Sequence, residues 1–266
     1  MFDNINIVIR GAGELASATA LILHKIGFKV ILTELQSPLA IRRTVTFSDA
    51  IITNEATVEG ITARFYKLAE IEAGLPHNIL PIVYDNMKVI KTLKPQIIVD
   101  ARMLKREPPE TKYGSAFVVG LGPGFTVGKN CRVIIETKRG HELGRLIWQG
   151  SAIPNTGIPG VLGGESYQRI ITAPAEGRIH WRVDFGNLVK KSEILGTVDQ
   201  FHQIIAPIAG IIRGLISPKI VVSPRMKIGD VDPRGKEINV NLISDKARSI
   251  GRGVLEAILQ FLQQAD

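Results

Sequence analysis

The chain has 266 residues, of which 45% are hydrophobic, a formal net charge of +8 and a single cysteine. This length can bury one large core or two modest ones, and one cysteine excludes an intrachain disulfide and any cysteine-clustered zinc or iron–sulfur site. The positive charge suits nucleic acid or phosphorylated small molecules, but the chain has no long basic run and few aromatic residues, so we predict no nucleic-acid partner.

Residues 1–150 alternate short β-branched runs with helix-length segments. INIVIR is the first predicted strand, a helix over Glu14–Lys25 follows and ends at Gly27, and FKVILTE is the second strand. Four more nearly continuous apolar segments predict buried strands: ILPIVYD, QIIVDAR, AFVVGLG and CRVIIET. A further helix is predicted near Asn86–Leu93. This texture is typical of a mostly parallel sheet covered on both faces, so we predict an α/β, Rossmann-like nucleotide-binding domain over residues 1–150.

Residues 151–167 are rich in Gly, Pro, Ser and Asn, and predict a linker or long loop. An internal repeat follows, because ITAPAEGRI from Ile171 returns as IIAPIAGII from Ile204, 33 residues later. The repeat resembles the barrel-sandwich hybrid of lipoyl and biotinyl domains. The hairpin VDQFHQII between the copies has no lysine to carry a swinging arm. We therefore predict a duplicated β domain over residues 168–243 that serves as a rigid scaffold or docking surface.

The last segment, residues 244–266, predicts a C-terminal helix that Ser244 or Asp245 caps. Apolar residues recur at helical spacing from Ala247 onward, as expected for a helix with one buried face. Gly251 and Gly253 weaken a helix by about 1 kcal/mol each relative to alanine, and so indicate close packing.

Two glycines join the first strand to the first helix. Gly11-Ala12-Gly13-Glu14-Leu15-Ala16 fits the G-x-G-x-x-G/A pattern, in which the first glycine permits a tight turn and the second lets a pyrophosphate approach the backbone. The helix N-terminus then offers N–H groups to phosphate. Gly11, Gly13 and Glu14 are therefore candidate nucleotide-binding residues, although Glu14 puts a negative charge in the turn. The alternative is a turn that keeps its glycines for packing alone.

Glu34 ends the second strand 21 residues after Gly13, where an acid that binds a ribose hydroxyl is expected. Arg42 and Arg43 follow it closely. Paired arginines bind phosphate or carboxylate in a bidentate manner, and a solvated charged segment explains them equally well. All three are kept as candidate cofactor-binding residues.

Asp100 ends the strand QIIVDAR, at the edge where open α/β sheets bind ligands, and Arg102 and Lys105 follow it. The loop GLGPGF places Gly122 and Gly124 after the next strand. This loop fits either a nest of N–H groups for phosphate or a rigid turn. Asp100 is a candidate catalytic residue, and Gly122 and Gly124 are candidate cofactor-binding residues.

His141 lies in the charged loop KRGHELG, and a histidine there could transfer protons near neutral pH. No local pattern pairs it with a nucleophile, so it is a candidate catalytic residue without an assigned reaction. The other histidines are scattered, and we predict no metal site. In GIIRGLI and KIGDVDPRG, the charges of Arg213, Asp230, Asp232 and Arg234 predict a solvated face or an ion-pair network.

Ten segments taken in order resemble one family: RGAGELAS, TELQSPLAIRRTVTFSDA, VEGITAR, VDARM, GLGPGFTVG, VIIETKRGHELGR, NTGIPG, IIRGLI, KIGDVDPRG and SDKARSIGRGVLEAIL. They are similar to the selenium-dependent molybdenum hydroxylase system proteins of the YqeB type. The resemblance implies an accessory factor in the maturation of xanthine-dehydrogenase-like hydroxylases. It also implies a phosphorylated ligand, either a nucleotide or the molybdenum cofactor in its cytidine dinucleotide form. The residues it carries over are Gly11, Gly13, Gly122, Gly124, Asp100 and His141.

Two alternatives stay open at this point. The glycine turn with Glu34 favours an NAD(P)-dependent oxidoreductase, and the repeat favours a non-enzymatic docking protein. The expected partners are a molybdenum hydroxylase or proteins of its cofactor pathway, and the sequence leaves both catalysis and homo-oligomer formation undecided. No apolar run reaches the roughly 18 residues of a transmembrane helix, and no signal peptide is evident, so we expect a cytoplasmic protein without a membrane partner.

Overall fold

The structure is a computed structural model that describes residues 5–74, 78–109, 113–155, 157 and 164–264. The chain forms two compact units, and neither is continuous in sequence. Unit 1 consists of Met1–Gln36, Thr46–Thr156 and Ile243–Asp266, and unit 2 of Ser37–Val45 and Gly157–Leu242. Within the predicted linker 151–167, residues 156 and 158–163 lie outside the described residues.

Unit 1 contains a sheet of nine strands. Their bounds are Asn6–Arg10 (β1), Lys29–Glu34 (β2), Glu55–Val58 (β3), Ile61–Phe65 (β4), Leu80–Tyr84 (β5), Ile97–Asp100 (β6), Phe117–Leu121 (β7), Val133–Ile135 (β8) and Leu146–Ile147 (β9). The strand order is β3-β4-β5-β2-β1-β6-β7-β8-β9. The seven inner strands of the sheet are all parallel to one another. The two edge strands, β3 and β9, are antiparallel to their neighbours. Strands β6, β7 and β8 are buried along their whole length, as their continuous apolar sequences predict.

The described residues of unit 1 include five α-helices. They are Glu14–Ile26 (α1), Ala50–Thr53 (α2), Leu68–Glu72 (α3), Met87–Leu93 (α4) and Asp245–Gln263 (α5). The helices predicted from Glu14, from Asn86 and after Ser244 are thus present. Gly27 ends α1 with φ +98°, while the side chains of Asn86 and Ser244 cap α4 and α5.

Helix α5 packs against α1 and covers β7 and β8. A Cβ on Gly251 would lie 2.8 Å from Ile22 Cδ1 and 3.3 Å from the backbone of Thr19, and a Cβ on Gly253 would lie 3.0 Å from Ile135 Cγ2. The predicted close packing at both glycines is therefore confirmed.

The predicted Rossmann-like fold class is wrong. Unit 1 has a mixed sheet with antiparallel strands at both edges, and its helix content is low, since α2, α3 and α4 have only four, five and seven residues. The connections from β6 to β7 and from β7 to β8 contain no α-helix among their described residues, whereas a doubly wound sheet places a helix in each crossover. Continuous apolar strands predicted burial correctly, but they could not show that α5, from far along the chain, supplies part of the cover. The chain is a mixed α/β structure with one large mixed sheet and separate antiparallel sheets.

Unit 2 contains two antiparallel sheets of four strands each. The strand bounds are Ile170–Thr172 (β10), Gly177–Trp181 (β11), Leu188–Val189 (β12), Ile194–Val198 (β13), His202–Ile205 (β14), Gly210–Leu215 (β15), Val221–Val222 (β16) and Lys227–Asp232 (β17). One sheet has the order β10-β17-β15-β12 and the other β14-β13-β11-β16.

The two copies of the repeat exchange strands between these sheets. Strands β11, β12 and β13 begin 33 residues before β15, β16 and β17, respectively. The first strand of each copy pairs with the second strand of the other, because β11 pairs with β16 and β15 pairs with β12. Each sheet therefore combines both copies, and the two copies fold as one unit.

Candidate anion-binding site

The parallel strands of unit 1 all end at the same edge of the sheet, which we call the carboxyl edge. Open α/β sheets bind ligands beyond this edge, so the residues that end or follow these strands are the first candidates for a site. The edge carries Gly11 after β1, Glu34 at the end of β2, Asp85 after β5, Asp100 at the end of β6, Gly122 after β7 and Glu136 after β8.

The glycine turn between β1 and α1 uses its two glycines differently. Gly11 has φ +97°, its N–H donates to Thr33 O at 2.9 Å, and an added Cβ would lie 3.2 Å from Ala101 O. The turn itself therefore requires Gly11. Gly13, the N-cap of α1, has φ −67°, and no described atom lies within 4 Å of an added Cβ. The space in front of Gly13 is open, and no described neighbour requires a glycine at this position.

Glu34 lies directly on the glycine turn. One carboxylate oxygen accepts a hydrogen bond from the Ala12 N–H at 3.0 Å, and the other accepts from the Leu35 N–H at 2.7 Å. Burial raises the pKa of Glu34, while these two hydrogen bonds oppose the rise. The spacing correctly placed Glu34 at the end of β2. The sequence predicted that its carboxylate contacts a ribose, whereas in the structure the carboxylate accepts hydrogen bonds from the glycine turn and from Leu35.

Glu14 points toward the start of α5. Its carboxylate accepts a hydrogen bond from the Ser244 N–H at 3.0 Å, and the Ser244 hydroxyl accepts from the Ala247 N–H at 3.3 Å. The N-termini of α1 and α5 therefore lie side by side at the carboxyl edge. Both helices direct partial positive charge toward this place, which favours a bound anion.

Three cationic side chains, Lys105, Arg139 and Lys246, interact electrostatically near the start of α5, and we call them the edge cluster. Lys246 is half-buried in the first turn of α5. Burial lowers the pKa of Lys246, and the charges of Arg139 and Lys105 lower it further, whereas Glu14 and Glu136 oppose this effect. The surroundings thus disfavour the charge of Lys246, and a bound anion would relieve this penalty.

The acids near the edge cluster are already engaged. Glu136 is almost fully buried, and its carboxylate accepts hydrogen bonds from the N–H groups of Thr137, Lys138 and Ile153 at 2.6 to 2.8 Å. Asp245 forms two hydrogen bonds with Arg139, at 2.9 and 3.2 Å. This pair holds Arg139 beside the N-terminus of α5.

A buried network supports the turn from inside the sheet. Arg10 donates to both oxygens of Asp85, at 2.9 and 2.7 Å, and to the Tyr113 hydroxyl at 2.9 Å, while the Thr33 hydroxyl donates to Asp85 at 2.7 Å. Burial alone would raise the pKa of Asp85, but its hydrogen bonds with Arg10 and the charge of Arg10 hold it below its usual range. This arrangement fixes the ends of β1, β2 and β5 relative to one another.

Asp100 belongs to the same network. It is fully buried, and its two oxygens accept hydrogen bonds from the Arg102 guanidinium at 3.0 and 2.6 Å. Burial opposes the charge of Arg102, but Asp100 raises the pKa of Arg102 above its ordinary value. Through these hydrogen bonds, Asp100 orients Arg102 at the carboxyl edge. The catalytic role of Asp100 stays a prediction.

The glycines of GLGPGF have close neighbours of their own. Gly122 has φ +70°, and an added Cβ would overlap the hydroxyl of Thr137. Gly124 has φ +106°, and an added Cβ would overlap the carbonyl oxygen of Arg106. Packing and backbone conformation account for both glycines, in contrast to Gly13.

Three other predicted residues have surroundings of a different kind. His141 is exposed in the turn between β8 and β9. Arg42 and Arg43 belong to unit 2, where Arg42 donates to Leu242 O at 3.3 Å and the Arg43 guanidinium lies 5.8 Å from the ring centre of Phe185. Their predicted part in nucleotide binding stays a prediction.

Sequence reasoning missed Lys246 and Arg139 as members of the site. Arg139 lies in the loop KRGHELG, two residues before His141, and Lys246 lies two residues after the predicted helix cap Ser244. The available signal was a basic residue in the first turn of a capped helix, where acidic residues are usual. No local pattern links that helix to the glycine turn 230 residues earlier.

Unit 2 holds a second set of charges, which we call the buried ion-pair cluster: Arg169, Arg213, Asp230, Asp232 and Arg234. Asp230 pairs with Arg169, and it also lies 3.6 Å from Arg213. Asp232 pairs with Arg234 at 2.8 Å and lies 3.7 Å from Arg213. Although burial would raise the pKa of Asp232, its hydrogen bonds and charge interactions with Arg234 and Arg213 lower it. The sequence left a solvated face and an ion-pair network as alternatives for these charges, and the structure shows the network.

The described ranges contain no group of three or more His, Cys, Asp or Glu side chains with the arrangement of a metal site. Among the helices in those ranges, none combines the length and apolarity that a bilayer crossing requires.

Comparison with known proteins yields one informative relative. No family model matches the chain. The chain is 42% identical over 260 residues to the uncharacterized protein YqeB of Escherichia coli strain K12. The match covers 97% of this chain but 48% of that protein, so the chain spans about half the length of its curated relative. The similarity to YqeB is confirmed, while the name of that relative assigns no activity.

Solved structures give weaker likenesses. An aspartoacylase family protein from Mesorhizobium loti shares 12% identity at a TM-score of 0.30, over 86% of this chain and 85% of that one. A succinylglutamate desuccinylase/aspartoacylase from Rhodobacter sphaeroides shares 13% identity at a TM-score of 0.26, over 86% and 85% of the two chains. Scores of this size carry no argument about fold or activity.

Proposed function

We propose that this chain is an accessory factor in the maturation of selenium-dependent molybdenum hydroxylases. In this role it binds a nucleotide, or the phosphorylated molybdenum cofactor in its cytidine dinucleotide form, at the carboxyl edge of unit 1. The resemblance to YqeB-type proteins supports the biological role. The charges and open space at the carboxyl edge support the ligand class.

The observation that carries the proposal is the meeting of two helix N-termini with the edge cluster. An anion placed before Gly13 would face the first N–H groups of α1 and lie near the start of α5. It would also be attracted by Lys105, Arg139 and Lys246, and it would offset the burial penalty of Lys246. A phosphate ester combines the required charge with several hydrogen-bond acceptors.

The position of Glu34 favours this function over an NAD(P)-dependent oxidoreductase. A dinucleotide-binding acid must be available to the ribose hydroxyls, but both oxygens of Glu34 accept backbone N–H groups at the turn. A ligand that binds through phosphates and leaves Glu34 in place requires no rearrangement of the turn. Cytidine compounds are therefore expected to bind more tightly than NAD(H) or NADP(H).

Isothermal titration with CTP, CDP, ATP, NAD(H) and NADP(H) tests the ligand class, with Lys246→Met as the site variant. The matched control is Lys91→Met, which removes an exposed charge of unit 1 in the last turn of α4. We expect Lys246→Met to weaken the best nucleotide by about tenfold or more, since a charge-assisted hydrogen bond is lost, and Lys91→Met to change affinity by less than about twofold. Equal effects of the two variants, or no binding of any nucleotide, would overturn the proposed ligand site.

The maturation role has a separate test. The protein is recovered from cells that make a molybdenum hydroxylase, and the proteins bound to it are identified. We expect the hydroxylase or proteins of its cofactor pathway in the sample, and a smaller yield with Lys246→Met than with Lys91→Met. If neither kind of protein is recovered, the maturation role is contradicted even where nucleotide binding is intact.

A further inference from the structure

A cavity lies at the other edge of the unit 1 sheet, at the amino ends of β7 and β8. Its volume is about 410 Å³, and it is lined by Phe117, Arg132, Trp148, Phe261 and Gln264. Phe117 begins β7, Arg132 directly precedes β8, and Phe261 lies in the last turns of α5. The carboxyl edge lies at the opposite ends of the same strands, so this cavity is separate from the site of the proposed function.

Three aromatic rings form the apolar wall of the cavity. Phe117 and Phe261 are stacked, with ring centres 4.1 Å apart and an angle of 11° between the ring planes. The Trp148 ring lies 6.4 Å from Phe117 at 42°, and 39% of the residue is exposed. Phe117 is 6% exposed, so the wall is anchored in the core while the indole stays accessible. Such a surface gains free energy when another flat ring covers it.

Polar groups complete the lining. Arg132 is exposed beside the rings, and its guanidinium can bind a carboxylate or phosphate oxygen through two N–H groups. Gln264 adds an amide that can donate to or accept from a ligand. A volume near 410 Å³ lies in the range of small-molecule pockets. The combination matches a flat apolar body with one negative group.

We propose that this cavity binds a small aromatic acid, a molecule of one or two rings that carries a carboxylate or phosphate. The ring lies against Trp148 and Phe261, and the acid group pairs with Arg132. Charge complementarity selects an acid over the corresponding neutral amide, and the ring wall selects an aromatic acid over an aliphatic one. This site stands independently of nucleotide binding at the carboxyl edge.

The test uses 4-nitrobenzoate, whose nitro group quenches indole fluorescence, and its neutral counterpart 4-nitrobenzamide. The chain has two tryptophans, so a Trp181→Phe background leaves Trp148 as the only tryptophan, and excitation at the red edge of the indole band selects it over the tyrosines. We expect saturable quenching by the acid, with an affinity at least about fivefold higher than that of the amide. Titration calorimetry with cyclohexanecarboxylate, which has no aromatic ring, should show weaker binding than 4-nitrobenzoate.

Variants decide where the acid binds. Arg132→Gln should remove the preference for the acid, while Arg252→Gln, an equal change at an exposed position of α5 that does not line the cavity, should preserve it. Lys246→Met should also preserve it, because Lys246 lies at the carboxyl edge. Quenching that rises linearly without saturation, equal affinities for acid and amide, or a preference lost with Lys246→Met but kept with Arg132→Gln would each overturn the proposal.

Discussion

The edge cluster of unit 1 and the buried ion-pair cluster of unit 2 both concentrate charged side chains, but their surroundings treat those charges in opposite ways. The pKa of Lys246 is lowered by burial and by Arg139 and Lys105, so its charged form is disfavoured. The pKa of Asp232 is also lowered, in spite of burial, by Arg234 and Arg213, so its charged form is favoured. For a base and an acid, the same direction of shift has opposite meanings.

This difference is the one expected between the proposed ligand site and a charge group that stabilises the fold. Asp230 and Asp232 each have arginine partners within the cluster, and no further anion is needed there. At the carboxyl edge, the nearby acids Glu14 and Glu136 accept hydrogen bonds from backbone N–H groups, and Lys246 retains an unfavourable environment that an incoming anion would improve. Four measurements test this contrast.

The largest effect is expected from Asp230→Ala. The side chain of Asp230 is 3% exposed, and its removal leaves the buried charges of Arg169 and Arg213 without this partner. Breaking a buried pair in this way costs about 3–5 kcal/mol of the free energy of unfolding. Urea unfolding followed by Trp181 fluorescence, in a Trp148→Phe background, measures the loss. Lys191→Gln is the control, because Lys191 is exposed in unit 2 and its replacement should cost about 0.5 kcal/mol or less. Similar losses for both variants would contradict a structural role for the buried pair.

A glycine pair gives the next largest effect. Gly124→Ala should destabilise unit 1 by about 2 kcal/mol, because φ is +106° and the new Cβ would overlap Arg106 O. Gly13→Ser should leave stability within a few tenths of a kcal/mol, since serine is a good N-cap, but it should weaken nucleotide binding by filling the space before α1. Thermal unfolding and titration calorimetry measure the two properties. Unchanged nucleotide affinity in Gly13→Ser would show that the open space before Gly13 is not part of the ligand site.

Acid should destabilise both units through Asp85 and Asp232. The pKa of each is lowered in the folded protein from an unperturbed value of 3.8, so the stabilisation is complete above that value and is lost as the pH falls below it. As the pH falls below about 4, the melting temperature should therefore drop more steeply in the wild type than in Asp85→Asn or Asp232→Asn. Parallel curves for wild type and variants would show that neither carboxylate has a lowered pKa.

The smallest effect is a gain in stability from Lys246→Met in the absence of ligand. The pKa of Lys246 in the folded protein is below its unperturbed value of 10.5. As the pH falls, Lys246 is therefore protonated in the unfolded chain before it is protonated in the folded protein, and this difference lowers the free energy of unfolding. The loss reaches its full size below the folded-state pKa. At pH 7 the variant should melt roughly 1 to 3 °C higher than the wild type, and the gap should narrow as the pH rises toward 10.5. A lower melting temperature of Lys246→Met than of the wild type would mean that Lys246 stabilises the unliganded protein, and it would argue against an anion-binding role for Lys246.

Local sequence patterns were enough to predict the main elements. The apolar runs gave β1, β2 and β5 to β8, and the caps Asn86 and Ser244 gave the starts of α4 and α5. These features depend on neighbours within a few residues, so spacing and residue type reveal them. The assembly of the elements depends on contacts between distant segments. No local sequence pattern assigns Ser37–Val45 to unit 2 or α5 to unit 1.

The site was predictable to the same extent. The glycine turn and Glu34 were found because a β–turn–α segment carries its signal in consecutive residues. The hydrogen bond from Ala12 to Glu34 and the approach of Lys246 depend on tertiary packing between distant segments. For the same reason, the sequence could not separate Gly13, which has open space, from Gly122 and Gly124, which have close neighbours.

The discontinuity of unit 1 also orders events during synthesis. The ribosome makes β1 to β9 first, then the 157–242 segment of unit 2, and only afterwards α5 with Lys246. Because synthesis proceeds at about 5–20 residues per second, several seconds pass between the synthesis of β9 and that of α5, which covers β7 and β8. During this interval the nascent chain has the glycine turn without Lys246, so the proposed binding of a nucleotide should develop only after the last helix has docked.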